Sequence, residues 1–231
     1  MIYTALSCAV ALGVGACFGA SGALANSAPR PVSGSPYGKS YGEWAALWWQ
    51  WLLRTTVAAS PAIDATGANC TIGQRGEVWL LASVLGSGTV ERNCRVPANV
   101  ALLVPLINNV WLSTPGDPAY GLYPGDPRLA GYARELRSHV ACVRPARVLS
   151  LRIDGRAVAG LDRFGENLAF FAAQVPSGGV LGSDQALLTP NVDSGYYVIF
   201  RPLPSGSHRL HRIAEDGCGH RPDVTYRLRV G

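Results

Sequence analysis

The stretch Arg147-Val148-Leu149-Ser150-Leu151-Arg152-Ile153-Asp154-Gly155 decides the fold class. Leu149, Leu151 and Ile153 alternate with Ser150 and Arg152, so an extended chain here is apolar on one side and polar on the other, the period of a half-buried strand. Asp154-Gly155 follows at once, a pair that tolerates the positive φ angles of a two-residue hairpin turn. The same alternation returns at the end of the chain, where Val224, Tyr226, Leu228 and Val230 are interleaved with Thr225, Arg227 and Arg229. Residues 77–84, 100–106, 196–200 and 209–213 are further short apolar or alternating runs, separated by turn clusters such as Pro204-Ser205-Gly206-Ser207. Many short strands of this kind predict a mainly β domain, an antiparallel sandwich or jelly roll.

Two segments have helical period instead. Ser40 to Arg54 opens as a capping box, with Ser40 placed to accept from the Glu43 backbone N–H and Glu43 to reach back to that of Ser40. Trp44, Leu47, Trp48, Trp51 and Leu52 then share one face, and Trp49 lies off it. A second helix is predicted within residues 126–140, with Asp126 as cap, Pro127 at the first helical position, and Leu129, Ala133, Leu136 and Val140 turned inward. Before it, Pro115-Gly116-Asp117-Pro118 is repeated as Pro124-Gly125-Asp126-Pro127 around Tyr120 and Tyr123 in a turn-rich loop.

Composition fixes the class. With 231 residues, 48% apolar and only 15% charged, the chain is too apolar to be disordered and long enough for one medium domain. The net charge is +5, and Lys39 is the only lysine among 20 basic residues. Arg128, Arg134, Arg137, Arg144, Arg147, Arg152 and Arg156 are spread among apolar residues rather than gathered into a run, which argues against a nucleic-acid partner.

No charged side chain precedes Arg30, and the Ala/Gly/Val/Leu run ending in Ala23-Leu24-Ala25 reads as a secretory signal over residues 1–25. A rival cut before Cys17 would leave a lipid anchor there. Residues 26–38 are rich in Ser, Pro and Gly and read as a flexible leader, and residues 39–231 as one domain. Removing the signal leaves Cys70, Cys94, Cys142 and Cys218, an even set in an oxidising compartment. Of three pairings, Cys70 with Cys94 and Cys142 with Cys218 is favoured, because the first closes a local strand pair and the second ties the middle of the chain to its last hairpin.

The Tyr41-x-Glu43-Trp44 to Trp48-Trp49-Gln50-Trp51 helix, residues 67–74, residues 92–97 and the closing Asp223-Val224-Thr225-Tyr226 strand resemble those of a family of secreted bacterial proteins without assigned activity. The resemblance spans residues 41–230. It implies one exported domain and carries no catalytic residue with it.

Chemistry is sparsely signposted. No G-x-S-x-G elbow occurs, so a Ser/His/Asp set would have to be gathered from separate loops. His139, His220, Asp117 and Asp126 are the catalytic candidates for such a hydrolase of an ester, lactone or glycoside. His208 and His211 fall on opposite faces of a strand, and no C-x-x-C is present, so neither metal nor cofactor is expected. The favoured expectation is a non-enzymatic envelope or extracellular binder of a glycan or small amphiphile in a groove beside the Trp-rich helix. Trp49, Asn108, Asn109, Tyr120 and Tyr123 supply rings and amides for it.

Overall fold

Period-two alternation in the sequence becomes two five-stranded sheets in the computed structural model, which describes residues 28–167, 170–180 and 186–231. The expected signal peptide, with Cys17 and the cleavage site, lies outside these residues. In chain order the elements are α1 (Tyr41–Leu53), β1 (Val78–Leu80), β2 (Gly88–Val96), β3 (Ala101–Leu112), α2 (Leu129–Ser138), β4 (Val148–Ile153), β5 (Arg156–Ala157), β6 (Gly165–Asn167), β7 (Phe171–Val175), β8 (Ala186–Phe200), β9 (Gly206–Glu215) and β10 (Pro222–Val230). The first sheet runs β1-β3-β8-β6, with β7 also on β8, and the second β2-β10-β9-β4-β5.

The protein is therefore mainly β, with two helices, as expected. One refinement is needed: each sheet contains a parallel pair, β1 with β3 and β2 with β10, so the sandwich is not wholly antiparallel. No hairpin joins β2 to β10, and nothing in the local turn chemistry of either strand could have revealed their pairing.

In the second sheet Leu210, Ala214, Val224, Leu228, Leu151 and Ile153 point inward and are buried, while Arg152, Arg209, Arg227 and Arg229 point out. In β8 every residue from Leu188 to Phe200 is buried, because α1 packs on the face that the second sheet does not cover. Residues buried on both faces lose the alternating signature.

The hairpin forms as read, with Asp154 at φ 52° and Gly155 at φ 78° linking β4 to β5. The second helix starts later than expected: α2 begins at Leu129 with Arg128 at its N-cap position, and Asp126 Oδ1 instead accepts from Arg128 N at 2.9 Å in the turn before it, while Leu129, Leu136 and Val140 are buried. Both predicted disulfides are present, Cys70–Cys94 with Cα atoms 6.0 Å apart and Cys142–Cys218 with 5.2 Å. Among the described residues no helix is long and apolar enough to cross a membrane.

Part of the predicted leader is seated rather than free. Val32 N donates to Ile199 O at 2.7 Å, and Trp44 Nε1 to the carbonyl of the buried Pro36 at 2.8 Å. The Ser/Pro/Gly composition hid this, because the contacts are made by main-chain groups.

Candidate functional site

The histidines are each committed locally or left without a nucleophile. His220 Nδ1 meets Asp216 Oδ2 at 2.9 Å, and Asp216 Oδ1 accepts from Cys218 N and His220 N at 2.8 and 3.0 Å, so the carboxylate ties a turn. Asp216, Cys218 and His220 converge within 4.8 Å, but the Cys218 sulfur is in a disulfide and is no thiolate ligand. His139 ends α2 and stacks on Trp111 with centroids 3.8 Å apart. Asp117 accepts from Thr114 N at 2.6 Å. Asp126 pairs with Arg128 at 2.7 Å, and this guanidinium holds its carboxyl below the usual range. Among the described residues no Ser, Thr or Cys side chain is hydrogen-bonded to a histidine, the relationship that would mark an activated nucleophile.

The expected ligand contacts also separate. Trp49 is only 6% exposed, so it is core and not an open platform. The helix proved apolar nearly all round, since β7 and β8 cover the side that a one-face reading leaves to solvent. Asn109 lies in register with Ser194 on the opposite face of β3 from Asn108. Tyr123 is exposed and Tyr120 half-buried in the loop that Gly121 N fixes to Thr189 O at 2.8 Å. Neither tyrosine faces α1's open side.

Asn108 does meet a polar cluster beneath α1. Its Nδ2 donates to Tyr197 Oη at 2.7 Å, and Tyr197 donates to Asp193 Oδ2 at 2.9 Å. Burial pushes the Asp193 carboxyl up to about 8, against the bond from Tyr197, and so favours its protonated form. Asp193 Oδ1 and the nearby Trp49 Nε1 are both buried and fall outside hydrogen-bond geometry. Asp193 sits in the polar run Asn191-Val192-Asp193-Ser194-Gly195, which matches no motif and resembles a turn, so the sequence holds no signal for it. Asp193 is sealed from solvent at 1% exposed.

The open feature beside α1 is a groove of about 480 Å³ between the helix and the 72–80 segment. Trp44, Leu47, Trp51, Ile72, Val78 and Leu80 form its apolar surface, and Arg54 and Arg75 stand at its edge. Trp51 Nε1 donates to Ile72 O at 2.8 Å, which satisfies the indole N–H and leaves the ring's carbon edge for the groove. A Cβ on Gly73 would stand 3.2 Å from the Trp51 ring, and its φ is +67°, so glycine lets this turn close on the helix.

The far wall is fastened at several points. Cys70–Cys94 joins it to β2, Gln74 exchanges hydrogen bonds with Leu80 at 2.8 and 2.9 Å, and Asn93 N donates to Thr66 O at 2.8 Å. Arg92, 1% exposed, donates through Nε to Asp64 O at 2.7 Å, through Nη2 to Ala62 O at 3.0 Å and through Nη1 to Ser83 O at 3.0 Å. The residues 67–74 and 92–97 singled out in the sequence are thus the fastening of this wall.

Both rim guanidiniums are exposed, and among the described residues neither has a carboxylate within 4.0 Å. Compared with protein-family models, curated proteins and solved structures, the chain matches none.

Proposed function

We propose that the protein is exported and binds a small amphiphile with an anionic head in the groove beside α1. The carrying observation is an apolar groove of ligand size with two unpaired guanidiniums at its edge. A tail would lie along Leu47, Ile72, Val78 and Leu80, and a carboxylate or sulfate would meet Arg54 and Arg75, whose planar donors match such groups. A neutral glycan is the weaker fit. Trp44 and Trp51 reach the groove but are each only 8% exposed, too little ring for a sugar to stack on, and its one amide, Gln50, already donates to Ala172 O at 2.8 Å. Export is supported by the signal-like residues 5–25 and by the two disulfides.

A chain-length series tests the reading. Octanoate, nonanoate and decanoate titrated against tryptophan fluorescence should bind saturably, each methylene adding about 0.8 kcal/mol, close to fourfold in affinity. Decyltrimethylammonium should bind at least tenfold more weakly than decanoate. Equal binding of the cationic and anionic decyl compounds, or affinity independent of chain length, would overturn it.

A further inference from the structure

We propose a second binding surface, distinct from the groove: the outer face of the second sheet as a docking site for an acidic polysaccharide. Strand register places its side chains in rows. Arg95 of β2, Arg229 of β10 and Ser207 of β9 form one row, and Asn93, Arg227 and Arg209 the next. Glu91, Thr225 and His211 form a third, with Arg152 of β4 beside His211. Arginine thus stands directly opposite arginine in two successive rows, about 7 Å apart along the strands.

Like charges opposite one another in a sheet oppose folding. The acidic groups here offset them only in part. Glu91 pairs with Arg227, Asp223 with His211 at 2.9 Å, and Asp154 is taken by His208 and the Arg209 backbone N–H, each at 2.8 Å. Among the described residues Arg95, Arg209 and Arg229 have no carboxylate within 4.0 Å. Two hollows of about 600 and 400 Å³ adjoin on this face, and Arg95, Arg229 and Ser207 line both.

The face repels a second copy of itself, so its complement is an anion. Its two rows of guanidiniums call for a chain bearing charge at successive positions. A single-stranded nucleic acid would need broad rings for its bases to stack on, and no Phe, Tyr or Trp stands among the outward residues of these three rows. A glycan with sulfate or carboxylate on successive sugars needs only the guanidinium forks and hydroxyl or amide partners, which Asn93 and Ser207 supply.

The test uses heparin as probe, with neutral dextran and an oligothymidylate of matched charge as comparators. The protein should bind heparin in a salt-sensitive manner, at least tenfold more tightly than the oligonucleotide, and should ignore dextran. The Arg95→Gln/Arg229→Gln double variant should lose at least tenfold in heparin affinity and melt no lower than the parent, since it removes a like-charge pair. Arg209→Gln, which leaves that pair in place, should lose at least threefold. Arg54→Gln/Arg75→Gln at the groove should leave heparin affinity unchanged, which separates this surface from the amphiphile site. Undiminished heparin binding by the Arg95/Arg229 variant, or tighter binding of the oligonucleotide, would overturn the proposal.

Discussion

The indole Nε1 of Trp51 and the carbonyl oxygen of Ile72 are 2.8 Å apart, and this hydrogen bond ties the helix to the opposite wall of the groove. One residue is a helix-face tryptophan and the other an exposed loop aliphatic, and only the disulfide-held turn brings them together. The width of the proposed site therefore depends on how the loop is held.

Removing the Cys70–Cys94 bridge tests that dependence. The Cys70→Ala/Cys94→Ala variant should lose about 3 kcal/mol of stability, from the loop-closure entropy of a 24-residue separation. Its decanoate affinity, measured by calorimetry below the new melting point, should fall at least threefold. Unchanged affinity would show that the wall holds its position without the bridge.

Filling the groove should separate binding from folding. Leu47 is half-buried and lines the groove, so Leu47→Trp should reduce decanoate affinity more than tenfold. Its effect on the denaturant midpoint should stay within about 0.5 kcal/mol, as for surface substitutions.

Arg92 is predicted to be a structural clamp. It and Arg212 are each 1% exposed, and among the described residues no carboxylate lies within 4.0 Å of either. Backbone carbonyls and hydroxyls take their place: Tyr226 Oη lies 3.2 Å from Arg92 Nη1, and Ser83 Oγ 2.6 Å from Arg212 Nη2. Burial lowers the Arg212 pKa to about 10, yet the group stays charged at neutral pH. Arg92→Met should cost about 3 kcal/mol or more by leaving several carbonyls unpaired. Arg92→Lys should not restore it, because one ammonium cannot span acceptors as far apart as Asp64, Ala62 and Ser83. Urea denaturation of the two variants measures both.

Asp193 should make stability fall as pH rises from about 4 to about 8. Its folded pKa of about 8 lies above the unfolded value of about 3.9, so between these the folded state holds a proton that the unfolded state has lost. Its contribution is complete below pH 4 and is lost as pH rises to about 8, at up to about 1.4 kcal/mol per unit. Asp193→Asn should flatten that slope in melts taken from pH 5 to 9. An unchanged slope would show that Asp193 is charged in the folded protein.

Much of the architecture was legible in the residues themselves. Alternation in 148–153 and 224–230, the Asp154-Gly155 turn, the Ser40/Glu43 capping box and the cysteine pairing are all local or arithmetic signals, and each appears in the structure. What escaped depends on distant partners. The parallel union of β2 with β10 joins residues more than a hundred positions apart, and Trp49 is buried only because β7 and β8 pass over it. Tyr120, Tyr123 and Asn109 stand out in the sequence by residue type alone, which carries no direction. The Trp-rich helix that forms one side of the groove is legible in the sequence, but the far wall is not, because Ile72, Gly73 and Arg75 lie in a loop without a binding motif.

The most direct test of the amphiphile site is a nitrogen-15 NMR titration of the protein with decanoate, following the tryptophan indole resonances. Saturable shifts are expected of the Trp51 and Trp44 indole signals, both at the groove, while that of Trp111, stacked on His139, stays in place. Movement of Trp111 alone, or no movement of any indole at saturating decanoate, would contradict it.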